Sequence, residues 1–510
     1  MTLKRNVVAN YISQGWRAAI GVAFVPLYIK YLGIEAYGLI GIFTILQASL
    51  SLLDMGMKPA LGREMARFTA GAHDAQSIRD LLRSIEIIGI FTGIVIVLLT
   101  WFSARWFASD WITAKNLTTG VVSRAFTAMG IVIALRFVES IYASSIVGLQ
   151  SQVLESIVSS TMATARALGA VALLAWISPS IEVFFLWQGL ISLITVPVLA
   201  SIVYRHLPVA PRPVRFSWTA VIGVWRFAAG VTAITLLALL LTQMDKILLS
   251  RLLPLKVFAY YALAGVLTNV LYVLTIPISA AFYPQFTELV TLNNSEALKL
   301  AYHQATQLTT VIVGGAAIML IVFADMIVHA WTSSGSLTAE VAPLLRLLAL
   351  GTLLNALMVV PYQMQLAHGW TALTIKVNVV AVALLVPAIF VSVPRYGAIG
   401  AAWIWVTLNV GYLVVDIYFM HRRLLKSEKW RWYGCDVLTP LIAASVTALF
   451  CRYAMPQEIG KKVVEVGVLA VASTGVVFTA AMFCPLVRGQ LVRRLQAGAK
   501  YLQVRFTHFS

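Results

Sequence analysis

Charge is what this sequence has least of. Only 11% of its 510 residues are Asp, Glu, Lys or Arg, against about 25% in a typical soluble domain. A disordered chain needs many charges and few apolar residues, so disorder is excluded. A soluble globular domain is excluded as well. Hydrophobic residues make up 60% of the chain and mean hydropathy is +0.87, more apolar surface than one core can hide. Cysteine is also scarce. Cys435, Cys451 and Cys484 lie far apart, with neither metal-ligand spacing nor the pattern of a disulfide scaffold. The seven histidines include no pair at i, i+4. The sequence contains no P-loop, no HExxH, no GxSxG and no CxxC. An enzyme is therefore not expected, nor a metal or other cofactor.

What the chain does have is long apolar runs. Apolar windows broken by charges or by Gly and Pro give fourteen candidate membrane spans: 7–29, 37–57, 84–107, 120–145, 153–177, 182–204, 222–244, 258–283, 305–331, 341–366, 371–393, 398–420, 437–454 and 463–486. The expected fold is an all-α polytopic membrane protein of about 14 transmembrane helices. The run from Val7 to Ile29 is too long for a cleaved signal and reads as an uncleaved first span.

Lys and Arg number 38 against 20 Asp and Glu. In a soluble protein that excess would suggest nucleic acid, but here it sorts by membrane side. The connections on the side of the termini hold 22 basic residues and those on the other side 9. Basic residues gather on the cytoplasmic side, so both termini are expected in the cytoplasm, in a cytoplasmic (inner) membrane. No connection exceeds about 30 residues, which leaves no room for a soluble catalytic domain. Pro208, Pro211 and Pro213 follow Arg205 and His206 near the midpoint of the first twelve spans and read as a linker. The expected organisation is a six-helix bundle over 1–204, a cytoplasmic linker over 205–221 and a second six-helix bundle over 222–420. Two extra spans and a basic tail then occupy 421–510. The halves share only a faint repeat: Tyr37-Gly38 and Pro59 bracket one second span, Tyr260-Tyr261 and Pro284 the other.

Seven basic residues remain inside or at the ends of spans: Arg17, Arg124, Arg136, Arg166, Lys246, Arg346 and Lys376. Intramembrane charges are costly and usually face a polar interior. In the first span Asn6, Asn10, Ser13, Arg17 and Gly21 share one helical face. That face either lines a cavity, with Arg17 as an anion contact, or packs against another helix. Gln47, Ser51, Asp54 and Lys58 form a second stripe, where Asp54 is either a gating group paired with Arg17 or a local partner of Lys58. Arg136 and Glu139 stand at i, i+3, close enough to neutralise each other. Arg166 has no acid within a turn and needs a carboxylate or a bound anion. Asn355, Met358, Tyr362 and Gln365 form a further stripe beyond Arg346. Acids inside the membrane are few: Asp54, Glu86, Glu139, Asp325 and Asp416. The balance favours an anionic passenger, because phosphates prefer arginine donors. The candidate substrate contacts are Arg17, Arg136, Arg166, Arg346 and Asn10. The candidate coupling or gating groups are Asp54 and Glu139.

The run PLYIKYLGIEAYG at Pro26 to Gly38, LLDMGM at Leu52 to Met57, and Ala60 and Arg63 resemble the start of bacterial polysaccharide flippases of the Wzx type. TQMDKILLSRLL at Thr242 to Leu253, Tyr260-Tyr261-Ala262 and Pro284-Gln285-Phe286 are similar to the opening and close of that family's second half. The resemblance covers about the first 420 residues. It places the chain in the superfamily that also holds lipid II flippases and MATE multidrug exporters. It implies two pseudo-symmetric six-helix bundles plus two C-terminal helices. It also implies a cavity that opens alternately to either side, and a polyprenyl-pyrophosphate-linked oligosaccharide as passenger. Arg17 is the position that the resemblance carries over as a pyrophosphate contact. It further implies a monomer in the lipid bilayer, no nucleic acid partner, and an H+ or Na+ gradient as the coupling ion. The alternative is an ion-coupled MATE-type small-molecule exporter, for which an acidic cavity would be the mark. A membrane-bound sugar polymerase or ligase would need a larger external loop than this chain offers.

Overall fold

A computed structural model describes residues 2–53, 56–455 and 462–489, and every regular element among them is helical. The helices pack as two units, Met1–Ala262 and Leu263–Ser510. Among the described residues ten helices are long and apolar enough to cross a membrane, which makes this a multi-pass membrane protein.

Unit 1 holds α1 (Thr2–Ala23), α2 (Val25–Leu32), α3 (Ile34–Leu53), α4 (Met57–Thr69), α5 (Ala75–Trp106), α6 (Thr119–Gly148), α7 (Gln152–Trp176), α8 (Ile181–His206) and α9 (Trp218–Leu252). The expected first span is thus two helices. Pro26 has no N–H to continue the ladder, so the helix restarts at Val25. α6 is the central post, packed on both α5 and α8. Its Val122, Met129, Ile133, Phe137 and Ile146 are all buried. On α5 the reverse holds: Ile90, Phe91, Leu98, Leu99 and Phe102 are exposed. An apolar stripe of that length is tolerated only against lipid.

The segment 205–217 lies along the first turns of α5. Gln76 Oε1 accepts from the Arg212 amide (3.0 Å), Asp80 Oδ1 from that of Arg215 (2.9 Å) and Ser84 Oγ from that of Ser217 (2.8 Å). Arg79 donates back to the carbonyls of Leu207 and Tyr204. Positions 76, 80 and 84 share one helix face, which is why a single extended segment reaches all three.

The chain passes from one unit to the other within α10 (Leu255–Thr291), which runs on as a helix through Pro277 and Pro284. Unit 2 continues with α11 (Ser295–Thr309), α12 (Gly315–Val322), α13 (Ala324–Thr332), α14 (Gly335–Leu357), α15 (Val359–Ala367), α16 (Ala372–Arg423), α17 (Lys429–Arg431), α18 (Thr439–Ala454) and α19 (Lys462–Met482). A straight helix of α16's 52 residues would be about 78 Å long, far more than a bilayer. Gly397, at φ 60° and ψ −145°, breaks it into two. Only glycine adopts that backbone without strain.

Unit 2 locks its C-terminal helices with charge. The buried His303 on α11 contacts Asp436 through Nδ1 and Glu428 through Nε2 (3.0 Å). Gln307 donates to Asp436 (2.8 Å) and accepts from the Leu486 amide (3.0 Å). Toward the other end of α18, Arg452 donates to Asp325 (2.6 Å). Sequence reading counted neither Asp436 nor Glu35 and Glu64 among the buried acids, yet all three are buried. Glu35 accepts two backbone N–H groups, from Lys115 and Asn116.

Two tests follow from this packing. A Cβ built on Gly148 would stand 2.3 Å from the Gly62 carbonyl, where α6 crosses α4. Gly148→Val should cost roughly 1–3 kcal/mol by overpacking and lower the thermal midpoint, whereas Gly223→Ala, into open space, should not. The second concerns Glu64 in the α4–α5 corner. Burial pushes its carboxyl up, but hydrogen bonds from His73 and Arg67 outweigh that and hold it below its usual 4.5. A lowered folded-state value gives stability that is present above the unfolded value and lost as pH falls through the folded one. Wild type should therefore melt above Glu64→Gln at neutral pH. The gap should close below about pH 4.5.

Candidate functional site

Near mid-height of unit 1, four helices direct polar side chains into one layer. α6 supplies Arg136 and Glu139, one turn apart. α7 supplies Arg166, α3 supplies Gln47, and α8 supplies Gln188 and Ser192, also one turn apart. The pair expected within α6 does not form. Glu139 turns across to α7, where Arg166 Nη2 donates to both of its oxygens, at 2.7 and 2.9 Å. The same nitrogen also reaches Ser192 Oγ at 3.2 Å. The partner on another helix wins because it donates to both carboxylate oxygens and ties α6 to α7. Of the two partners that the sequence left open for Arg166, a carboxylate or a bound anion, the structure shows the carboxylate of Glu139.

Arg136 is left with neutral partners. Its Nη1 donates to Gln47 Oε1 at 2.5 Å and its Nη2 to Gln188 Oε1 at 2.9 Å. The guanidinium carbon lies 5.1 Å from the centre of the Phe43 ring. The two arginines and one carboxylate therefore carry one uncompensated positive charge. Both arginine Nε–H groups are buried and have no hydrogen-bond partner among the described residues. An orphaned donor of this kind costs about 1–3 kcal/mol, and more when it is charged. Such a layer can receive an anion with oxygen acceptors.

α1 packs on α7 and divides its polar stripe between two roles. Ser13 is buried, donating to the Ser156 carbonyl (3.3 Å) and accepting from Ser160 (2.9 Å). Trp16 donates to Thr164 (3.0 Å). Asn10 accepts from Gln14 (2.8 Å). Arg17 is exposed, at the level of the α7 turn that carries Thr164 and Arg166. It bonds only its own helix, at the Ser13 carbonyl (3.4 Å), and no carboxylate among the described residues lies within ion-pair distance. Ser13 of the stripe thus packs against α7, while Arg17 is exposed. Asp54 lies outside the described residues.

Arg124 donates to Glu182 on an exposed edge (3.1 Å). Arg346 belongs to unit 2, 3.6 Å from Asp325, which Arg452 also holds. Its neighbours are therefore already an ion-pair group. Of the residues singled out from sequence, Arg136, Arg166 and Glu139 form one cluster, while Arg17 and Asn10 stand on α1. Sequence reading missed Gln188 and Ser192. Their signal was an i, i+4 polar pair within a run otherwise almost wholly apolar. Unit 2 has its own polar contacts. Tyr272 donates to Asn355 (3.1 Å), Asn355 to Asn409 (2.7 Å), and Gln365 donates to Asp416 (3.0 Å).

The Glu139–Arg166 pair invites a double-mutant cycle. Breaking a buried pair strands a charge and costs about 3–5 kcal/mol, whereas replacing both partners by apolar residues is often near neutral. Glu139→Met should depress the thermal midpoint strongly. The double variant Glu139→Met with Arg166→Met should recover most of the loss. Equal melting of the single and double variants would sink the assignment.

Residues 3–290 match a family model described as polysaccharide biosynthesis protein. No curated protein matches the sequence. The fold is similar to that of the lipid II flippase MurJ in an inward closed conformation, at TM-score 0.70 and 12% identity over 96% of this chain and 99% of that one. It is similar to an inward-facing multidrug resistance MATE family transporter of the MOP superfamily, at TM-score 0.64 and 16% identity over 81% and 96%. A MOP superfamily transporter from Pyrococcus furiosus, described by the reverse polarity of its binding pocket, matches at TM-score 0.56 and 13% identity over 84% and 96%. With more than half of its length matched by that family model, the chain belongs to the polysaccharide biosynthesis protein family and carries the fold of the MOP-superfamily transporters.

Proposed function

We propose that the protein flips a polyprenyl-pyrophosphate-linked oligosaccharide from the cytoplasmic to the outer leaflet by alternating access, for surface polysaccharide biosynthesis. The observation that carries this reading is the uncompensated charge on Arg136, held by two neutral amides at mid-height of unit 1. A pyrophosphate head answers it with the opposite charge and with oxygen acceptors for the orphaned Nε–H groups. Arg17, exposed and with no carboxylate partner among the described residues, is the first contact for the head, with Asn10 on the same helix α1. Arg166 is the group that exchanges partners, from Glu139 to the head. Glu139, released, is then the group that binds a coupling proton or Na+. Asp54 is retained as a second coupling candidate from its sequence alone. Arg346 is the least favoured substrate contact, because Asp325 already occupies it.

The fourteen-span plan accommodates the helices as follows. α1 with α2, α11 to α13, and α14 with α15 each make one crossing, α16 makes two, and α3, α5 to α10, α18 and α19 make one each. Both termini are then cytoplasmic. Binding the head more tightly in the inward than in the outward state would drive release on the far side.

The MATE likeness keeps a second reading open, an ion-coupled exporter of small molecules. The arginine-rich layer argues against organic cations as its cargo. Mass spectrometry of lipid extracts after depletion of the protein separates the two. Accumulation of polyprenyl-pyrophosphate oligosaccharides with loss of surface polysaccharide is expected, and Arg136→Ala should reproduce it in a stably inserted protein. Unchanged lipids with intact polysaccharide would reject the flippase reading in favour of the exporter.

A further inference from the structure

Gln47 and Gln188 stand where a carboxylate would ordinarily be found. Each presents its Oε1 to a different Nη of Arg136. The orientation of both amides is chemically forced. A guanidinium only donates, so the amide oxygen must face it and the NH2 must face away. Neither NH2 donates to an acceptor among the described residues. Around Arg136 the layer therefore presents N–H groups and one net positive charge.

A glutamate has the shape of a glutamine. At either position it could accept the same hydrogen bond from Arg136, strengthened by charge. Neutralising a guanidinium in a dry interior would also relieve the cost of burying it. Stability and geometry alone thus favour the acid, and the amide must serve something else. Glu139 shows that this layer does admit an acid, one helical turn from Arg136.

We infer that Gln47 and Gln188 are the specificity-determining residues of the unit 1 site, orienting Arg136 without cancelling its charge, so that a doubly charged phosphate ester is accepted and neutral or cationic cargo is refused. This rests on the flippase reading above. A unit charge placed within hydrogen-bond reach of Arg136 would act directly on the bound anion at low effective dielectric.

The test uses the full chain in nanodiscs, with farnesyl pyrophosphate as probe and farnesol as the uncharged control for tail binding. Wild type should bind the pyrophosphate well above farnesol. Gln188→Glu, which keeps shape and hydrogen bond, should weaken pyrophosphate binding roughly tenfold or more while melting no lower than wild type. Gln188→Met, which removes the hydrogen bond but adds no charge, should stay within about threefold of wild type. Gln47→Glu and Gln47→Met should repeat the pattern, so a folding defect at one site does not decide the matter. A merely structural role gives the opposite order, with Glu harmless and Met harmful. That order, or equal loss in both variants, overturns the inference and leaves the flippase reading standing. Wild type that binds pyrophosphate no better than farnesol overturns the flippase reading, and the inference falls with it.

Discussion

A guanidinium at the centre of a bilayer has no water to turn to, and the architecture of unit 1 follows from that. Arg136 and Arg166 must be satisfied from neighbouring helices, so α3, α6, α7 and α8 are brought to one level and held there by their own hydrogen bonds. The apolar packing agrees with this placement. Phe43 lies against both the Arg136 guanidinium and Phe185, one turn before Gln188 on α8. Polar and apolar contacts thus specify the same register, which is the condition for a single packing arrangement. The layer is tight in geometry and deliberately incomplete in charge.

Unit 2 solves the same problem to the opposite end. At His303 the balance is the reverse of that around Arg136, one basic group between two acids, Asp436 and Glu428. Arg452 and Arg346 share Asp325, and Gln307 occupies Asp436's second oxygen. These groups bind α11, α13 and α14 to the C-terminal helices α18 and α19. Cys484, just past the end of α19, is buried in the same region. Charge there joins helices. On the function proposed above, the charge left over on Arg136 serves instead to recruit a ligand.

Much of this was legible in the sequence, and the parts that were not share a cause. Hydropathy found the all-helical membrane fold, because a run of about 20 apolar residues is a one-dimensional signal. It also found Arg136, Arg166 and Glu139 as charges in the wrong solvent. It paired them wrongly because i, i+3 spacing is visible along a chain and a neighbour on another helix is not. Gln188 escaped because a single amide barely lowers the mean hydropathy of its window. Its meaning depends on Arg136, 52 residues away. Asp436 escaped because it lies one residue before its span, where a charge reads as a flank. The break between α1 and α2 was within reach, since Pro26 announced it.

The division of the chain shows the same limit from another side. Proline, charge and loop length mark 205–221 as the joint between bundles. In packing, that segment is fastened to α5 at Gln76, Asp80 and Ser84, and α9 follows it onto unit 1. Gly56 meets the Ala228 carbonyl so closely that a Cβ would stand 2.2 Å from it. Further along, Trp111 donates to Ser250 and the Leu255 amide donates to the Thr113 carbonyl. Tyr261, on the first turns of α10, donates to Asp245 on α9. A helix pinned at both ends and touched along its length moves with what it touches. Packing changes hands only beyond Tyr261, at Ala262 within α10. A polar linker marks where a chain leaves the membrane. Which unit the next helix joins is decided by side-chain contacts that a linear sequence does not display.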